Sequence, residues 1–266
     1  MLIVGERLNT SRAAVNEAVE RRDTGFVARE ARAQVEAGAG LVEVNAGSRR
    51  DSEAEDLSWL MRTVQQAVPG VRLCLDSPRP QTLLAVLGLA EKPPLLNSIT
   101  AESARFQAMA PLLGQRECDV VALAADERGI PKSTPQTLEI ARRLVGELEA
   151  LGVKRERIYV DPVIRAASAE QDAAVTALQS IGRIRQELPG VHVICGLSNI
   201  SYGLPWRQLV NRTFLALAVQ AGLEAAILDP LDAGLAGTLL AAELLLGRDP
   251  WCQAYTRAFR GGRLGR

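Results

Sequence analysis

Histidine is almost missing from this chain: His192 is the only one in 266 residues. It lies within a segment of strand pattern, where a core or edge position suits it better than catalysis. A cluster of histidine metal ligands is therefore excluded, and a histidine general base has a single candidate. Cysteine is sparse too. Cys74, Cys118, Cys195 and Cys252 include no CxxC pair, so neither a disulfide framework nor a zinc site is expected, and the thiols are read as free. No sign of charge dominates, because 31 Lys and Arg balance 31 Asp and Glu. That leaves no field to attract nucleic acid or an acidic membrane surface. Long apolar runs are absent as well. "LAGTLLAAELLLG" falls short of the roughly 20 residues that span a bilayer. "MLIVGERLNT" meets Glu6 too early for a signal peptide. The expectation is a soluble, cytoplasmic protein with no nucleic-acid or membrane partner and no protein-bound metal.

What the chain does have is apolar residues, 47% of the total, enough for one large core. They fall into short β-type runs: 2–5, 41–44, 72–75, 94–96, 119–123, 158–160, 192–196 and 225–228. Segments of helical period separate them. In 52–68, Leu57, Leu60, Met61 and Val64 share a face, and Ser52 with Glu55 has the spacing of a capping box. The segment 137–152 ends at Gly152, a helix stop. Further helices are expected at 26–38, 80–90, 101–113, 168–188, 206–222 and 232–247. Eight strands, each followed by a helix, over about 250 residues predict a single-domain (β/α)8 TIM barrel spanning 1–266. Within it, about 248–266 form a C-terminal helix and tail, whose basic, Gly-rich end reads as a frayed terminus. An open doubly wound sheet would carry a Gly-rich phosphate turn after the first strand, and "GERLNTSR" is not GxGxxG.

Barrel enzymes build their sites at the C-terminal ends of the strands. Those ends read Glu6, Asn45, Asp76, Asn97, Ala124, Asp161, Asn199 and Asp229. Asp, Glu and Asn hold seven of the eight, although they make up only 37 of 266 residues. A ring of carboxylates and carboxamides, without His or Cys, provides no thiolate nucleophile. It suits a flat heterocycle instead. A carboxylate accepts paired hydrogen bonds from a ring N–H and an adjacent amine, and a carboxamide both donates and accepts. A 2-amino-4-oxo-pyrimidine edge is such a ligand.

These ends lie in a series of short motifs: "LIVGERLN", "EVNAG", "LCLDS", "LLNSI", "GIPK", "YVDP", "GLSNIS", "NRTFLALA" and "AAILDP". In order and spacing the series resembles the pterin-binding barrels, and among them the methyltetrahydrofolate:corrinoid protein methyltransferases of one-carbon metabolism. The folate-binding part of cobalamin-dependent methionine synthase is a more distant likeness. The resemblance implies that 5-methyltetrahydrofolate or tetrahydrofolate is a substrate. It implies a corrinoid (cobalamin) supplied by a partner protein, a corrinoid iron-sulfur protein among the candidates, and a homodimer. Asp76, Asn97 and Asp161 match the pterin-recognition positions. Asn199 matches the residue that hydrogen-bonds N5, so Asn199 and Asp161 carry the catalytic role. Glu6, Asn45, Ser77 and Ser98 are further pterin-site candidates. Asn211 and Arg212 either open a helix, or Arg212 reaches the distal carboxylates of the folate. Three places depart from the pattern: Glu43 stands where Asp is frequent, Ala124 and Ala125 stand near where a longer or more polar residue is usual, and "SYGLP" after Asn199 differs from the usual longer polar run. A dihydropteroate synthase-like enzyme and a non-catalytic pterin-binding subunit are the competing readings. "DSPRP" is only a partial echo of the synthase's Ser-Arg-Pro segment.

Overall fold

The computed structural model describes residues 1–264; the last two residues of the tail lie outside the described range. Eight parallel strands pair in sequence order and close on themselves: β1 (Leu2–Asn9), β2 (Leu41–Asn45), β3 (Arg72–Asp76), β4 (Leu95–Thr100), β5 (Asp119–Leu123), β6 (Ile158–Asp161), β7 (His192–Gly196) and β8 (Ala225–Leu228). The expected (β/α)8 barrel is the fold observed.

Every expected helix is present, with shifted ends. They are α2 (Thr24–Glu36), α3 (Glu53–Ala67), α4 (Pro80–Val86), α5 (Ser103–Gln115), α6 (Thr134–Ala150), α7 (Ala173–Glu187), α8 (Arg207–Ala221) and α9 (Ala233–Leu245). The expected C-terminal helix is α10 (Gln253–Arg260), and α1 (Ala13–Glu20) is a further one. Residues 257–260 of the basic tail belong to α10. The capping box does not form. Ser52 Oγ donates to Asp56 Oδ2 at 2.6 Å, and Glu55 accepts from Arg22 at 2.8 Å. Asp56 is buried and also accepts from Arg49 at 2.6 Å. A buried carboxylate needs its lone pairs filled, and that demand takes the serine away from the helix end.

Two cores follow from the strand period of two. One face of each strand packs against the helices. The other fills the barrel with Val4, Leu41, Cys74, Leu95, Val121, Tyr159, Ile194, Ala225 and Ile227. Cys74, Cys118 and Cys195 are buried free thiols, and Cys252 is exposed. His192 opens β7 at the N-terminal end of the barrel. It stacks on Tyr159 with ring centroids 4.8 Å apart, and its Nδ1 lies 3.3 Å from Glu224. A cavity of about 520 Å³ opens around these residues, at the opposite end from the strand exits.

Candidate active site

The ring is built by alternation. Residues two apart on a strand face the same way. Two positions beyond the apolar interior residues Val4, Leu41, Cys74, Leu95 and Tyr159 come Glu6, Glu43, Asp76, Asn97 and Asp161. The same step from Ile194 reaches Gly196, where β7 ends. Five strands, β1, β2, β3, β4 and β6, therefore deliver an apolar side chain to the barrel centre and a polar one towards the C-terminal mouth.

Neighbouring strands lock these groups together. Asn45 donates from Nδ2 to Asp76 Oδ2 at 2.6 Å, while its Oδ1 accepts from the Gly47 amide at 2.7 Å. With both ends of the carboxamide engaged, its orientation is settled. Asn9 donates to Glu43 at 3.4 Å. Asp161 accepts from the Val163 amide at 2.8 Å. The register pairs Asp76 with Asn97, and the Ser77 amide donates to the Asn97 carbonyl at 3.2 Å.

Burial sets the acidity of the carboxyls. Asp161 is raised to about 7 by desolvation, against the backbone N–H groups of Val163 and Gly196. Glu6 is raised to about 7, first by burial and then by the charge of Asp229, with Arg12 and Arg207 opposing. Asp76 rises to about 6 through burial, opposed by the Asn45 hydrogen bond and by Arg105. Glu43 is pushed well above the usual range by burial and by the charges of Asp76 and Glu6. Carboxyls poised near neutrality can hold or release a proton at physiological pH, the state required for acid–base work.

Asn199 is not at the end of β7 itself. It lies three residues beyond, in a 3-10 turn over Leu197–Ser201, and is exposed. Its amide nitrogen rests over Gly196, 3.0 Å from where a Cβ on that residue would sit. Arg207 fastens the turn by donating to the Ser198 carbonyl at 2.7 Å and to Ser201 Oγ at 3.0 Å. A pocket of about 290 Å³ opens beside it, lined by Glu6, Ser198, Arg207, Asn211 and Asp229. Asn211 Oδ1 is buried there without a protein partner.

Three candidates stand apart from this inner ring. The Ser77 hydroxyl donates to Glu53 at 2.7 Å, in a buried network with Arg79 and Thr82. Ser98 is buried, and its carbonyl accepts from Arg105 at 2.9 Å. Arg212 lies within α8, not at its start, and donates to Asp232, the N-cap of α9, at 2.6 Å. Its guanidinium occupies the space a side chain on Gly234 would need. Sequence reasoning did not single out Arg105 or Arg207, and it noted Glu43 only as a departure. Strand alternation could have found Glu43. Nothing in the helical pattern marks either arginine. Among the described residues, no group of three or more His, Cys, Asp and Glu is placed to hold a metal ion.

A closed parallel barrel with poised carboxyls and carboxamides at its C-terminal mouth is the architecture of a barrel enzyme. The chain belongs to the family of pterin binding enzymes, whose model matches residues 5–229. It is 38% identical to a methylcorrinoid:tetrahydrofolate methyltransferase of Eubacterium limosum, over the whole of this chain and 98% of that protein. A methionine synthase of Mycobacterium leprae is 28% identical over 85% of this chain and 20% of its own length. Among solved structures, a Clostridium difficile dihydropteroate synthase superposes with a TM-score of 0.72 at 14% identity, covering 92% of this chain and 96% of that one. At that identity the likeness is one of fold.

Proposed function

We propose that this chain is a methyltransferase that moves the N5 methyl group between 5-methyltetrahydrofolate and the cobalt of a corrinoid protein. The observation that carries this reading is the full-length 38% identity to the methylcorrinoid:tetrahydrofolate methyltransferase. The chemistry of the ring agrees with it. Asp76 and Asn97 are paired in register on adjacent strands and suit the pyrimidine edge of a pterin. Asn199 is exposed above Gly196, and the neighbouring carboxyl of Asp161 is poised near 7.

N5 of methyltetrahydrofolate is a tertiary amine, and its anion would be a very poor leaving group. When the methyl passes to Co(I), the C–N bond electrons stay on N5, which must then take up a proton. In the reverse direction N5 attacks the cobalt-bound methyl and releases that proton. Asn199 donates to N5 as charge develops there. Such a bond favours the transition state over the ground state. Asp161 and Glu6 supply groups that gain or lose a proton near pH 7. The nucleophile or methyl donor arrives on the partner, so this chain needs no nucleophile of its own.

The partner is a corrinoid protein, with a corrinoid iron-sulfur protein as one form. The active unit is a homodimer, a reading supported by the apolar α9 and by Leu245, which is 83% exposed at its end. No described helix is long and apolar enough to cross a membrane, in keeping with a cytoplasmic site. The deciding experiment incubates the protein with methyltetrahydrofolate and cob(I)alamin and follows methylcobalamin formation. A dihydropteroate synthase would instead join a pterin pyrophosphate to aminobenzoate. A non-catalytic subunit would bind the folate and transfer nothing.

A further inference from the structure

The two strand exits that carry Asp76 and Asn97 are held by one side chain from outside the ring. Arg105 lies on the first turn of α5. It donates from Nη1 to the Pro78 carbonyl at 2.6 Å and from Nη2 to the Ser98 carbonyl at 2.9 Å. Pro78 is two residues past Asp76, and Ser98 directly follows Asn97. A planar guanidinium thus bridges the backbone of neighbouring exits, each donor aligned by the rigid fork. Arg105 Nε is buried without a protein partner, and burial lowers the pKa of the guanidinium while Glu102 and Asp76 oppose that shift. The guanidinium is half-buried, and its two carbonyl hydrogen bonds hold it there.

We propose that Arg105 is a positioning residue of the folate site. It ties the β3 and β4 exits into one register and turns a positive charge towards Asp76, so that Asp76 and Asn97 meet the pterin edge as a fixed pair. This rests on the reading of the barrel mouth as a folate site.

The groups around Asp76 explain why the charge is needed. Glu53 on α3 is the acidic group that raises Asp76, Glu43 on β2 is itself pushed well above the usual carboxyl range by burial, and Asn45 contributes one neutral hydrogen bond. Cys74, on the same strand, is a buried thiol pushed well up and so uncharged. Arg105 is the cation whose charge favours the Asp76 carboxylate, against desolvation and Glu53. Without it, the carboxyl that must accept from the pterin would hold its own proton to a higher pH.

Calorimetric titration with tetrahydrofolate from pH 5 to 9 tests this on the wild type, Arg105→Ala and Arg105→Lys. Proton uptake by the ligand is common to all three and cancels in the comparison. Arg105→Ala is expected to bind roughly tenfold or more weakly at pH 8, and to lose binding at a higher pH than wild type as the solution is acidified. Arg105→Lys restores the charge but cannot span both carbonyls, so its pH midpoint should return towards wild type while its affinity at pH 8 stays reduced. A merely structural arginine would give uniformly weaker binding with an unmoved midpoint in Arg105→Ala, and that result overturns the proposal. So does wild-type affinity in either variant. If Arg105→Ala does not fold, Arg105→Gln takes its place: weaker binding with the midpoint moved to higher pH supports the proposal, and an unmoved midpoint overturns it. A wild type that binds no tetrahydrofolate at any pH would refute the folate reading itself, a failure distinct from variants that match wild type.

Discussion

The carboxamide of Asn199 lies directly over the Cα of Gly196: a methyl group on residue 196 would sit 3.0 Å from Asn199 Nδ2. The hydrophobic strand β7 thus ends in a glycine that leaves room for an asparagine three residues further on. Gly196 has φ −74°, a conformation open to alanine, so its role is space and not backbone freedom.

Gly196→Ala should therefore fold normally and fail in function. The added methyl displaces the carboxamide by a few tenths of an ångström, and small misplacements at a reacting centre are costly. We expect kcat to fall roughly tenfold or more, with tetrahydrofolate affinity changed much less. Single-turnover transfer to cob(I)alamin alongside equilibrium binding measures both. An unchanged rate would remove the contact from the mechanism.

Asn199→Ala should lower the transfer rate far more than it weakens folate binding. Loss of a donor that matters only as charge develops costs roughly 10²-fold in kcat, as for an oxyanion-hole donor. Asn199→Asp keeps the shape and exchanges donor for acceptor, so activity should partly return at low pH where the new carboxyl is protonated. Equal losses of binding and rate in the alanine variant would make Asn199 an ordinary contact.

Asp76→Ala should weaken methyltetrahydrofolate binding by roughly 1–3 kcal/mol or more, because the ring N–H and amine would be buried unpaired. Titration calorimetry giving wild-type affinity would take Asp76 out of the site.

The ligand-free protein should be less stable at pH 8 than near pH 5.5. Glu6, Asp76 and Asp161 have folded-state values of about 7, 6 and 7, all above their unfolded values near 4. Between roughly pH 4 and 7 the folded protein binds more protons than the unfolded chain, so stability falls as pH rises through that window. Asp161→Asn removes one such group and leaves an oxygen to accept from Val163. It should raise the melting temperature at pH 8 while abolishing transfer. Thermal unfolding across pH 5 to 8.5 checks the slope. A melting temperature that climbs with pH over that range would show that the ring is not desolvated as described.

Much of this protein follows from local sequence pattern. Alternation on β3, Cys74 then Asp76, and on β6, Tyr159 then Asp161, marks both the barrel interior and the ring. A strand repeats every two residues whatever its partners, so the polar exits were legible before the barrel was known. Helix ends were less so. Ser52 has the spacing of a cap, yet buried Asp56 claims its hydroxyl. Only the tertiary structure decided the long-range partners. Arg105 meets the Pro78 carbonyl across 27 residues of sequence, and Arg212 meets Asp232 across 20. The position of Asn199 over Gly196 comes from a 3-10 turn that strand periodicity cannot anticipate. Hydrophobic alternation is a property of each segment alone. The partner of a buried charge is set by which segments the closed barrel brings side by side.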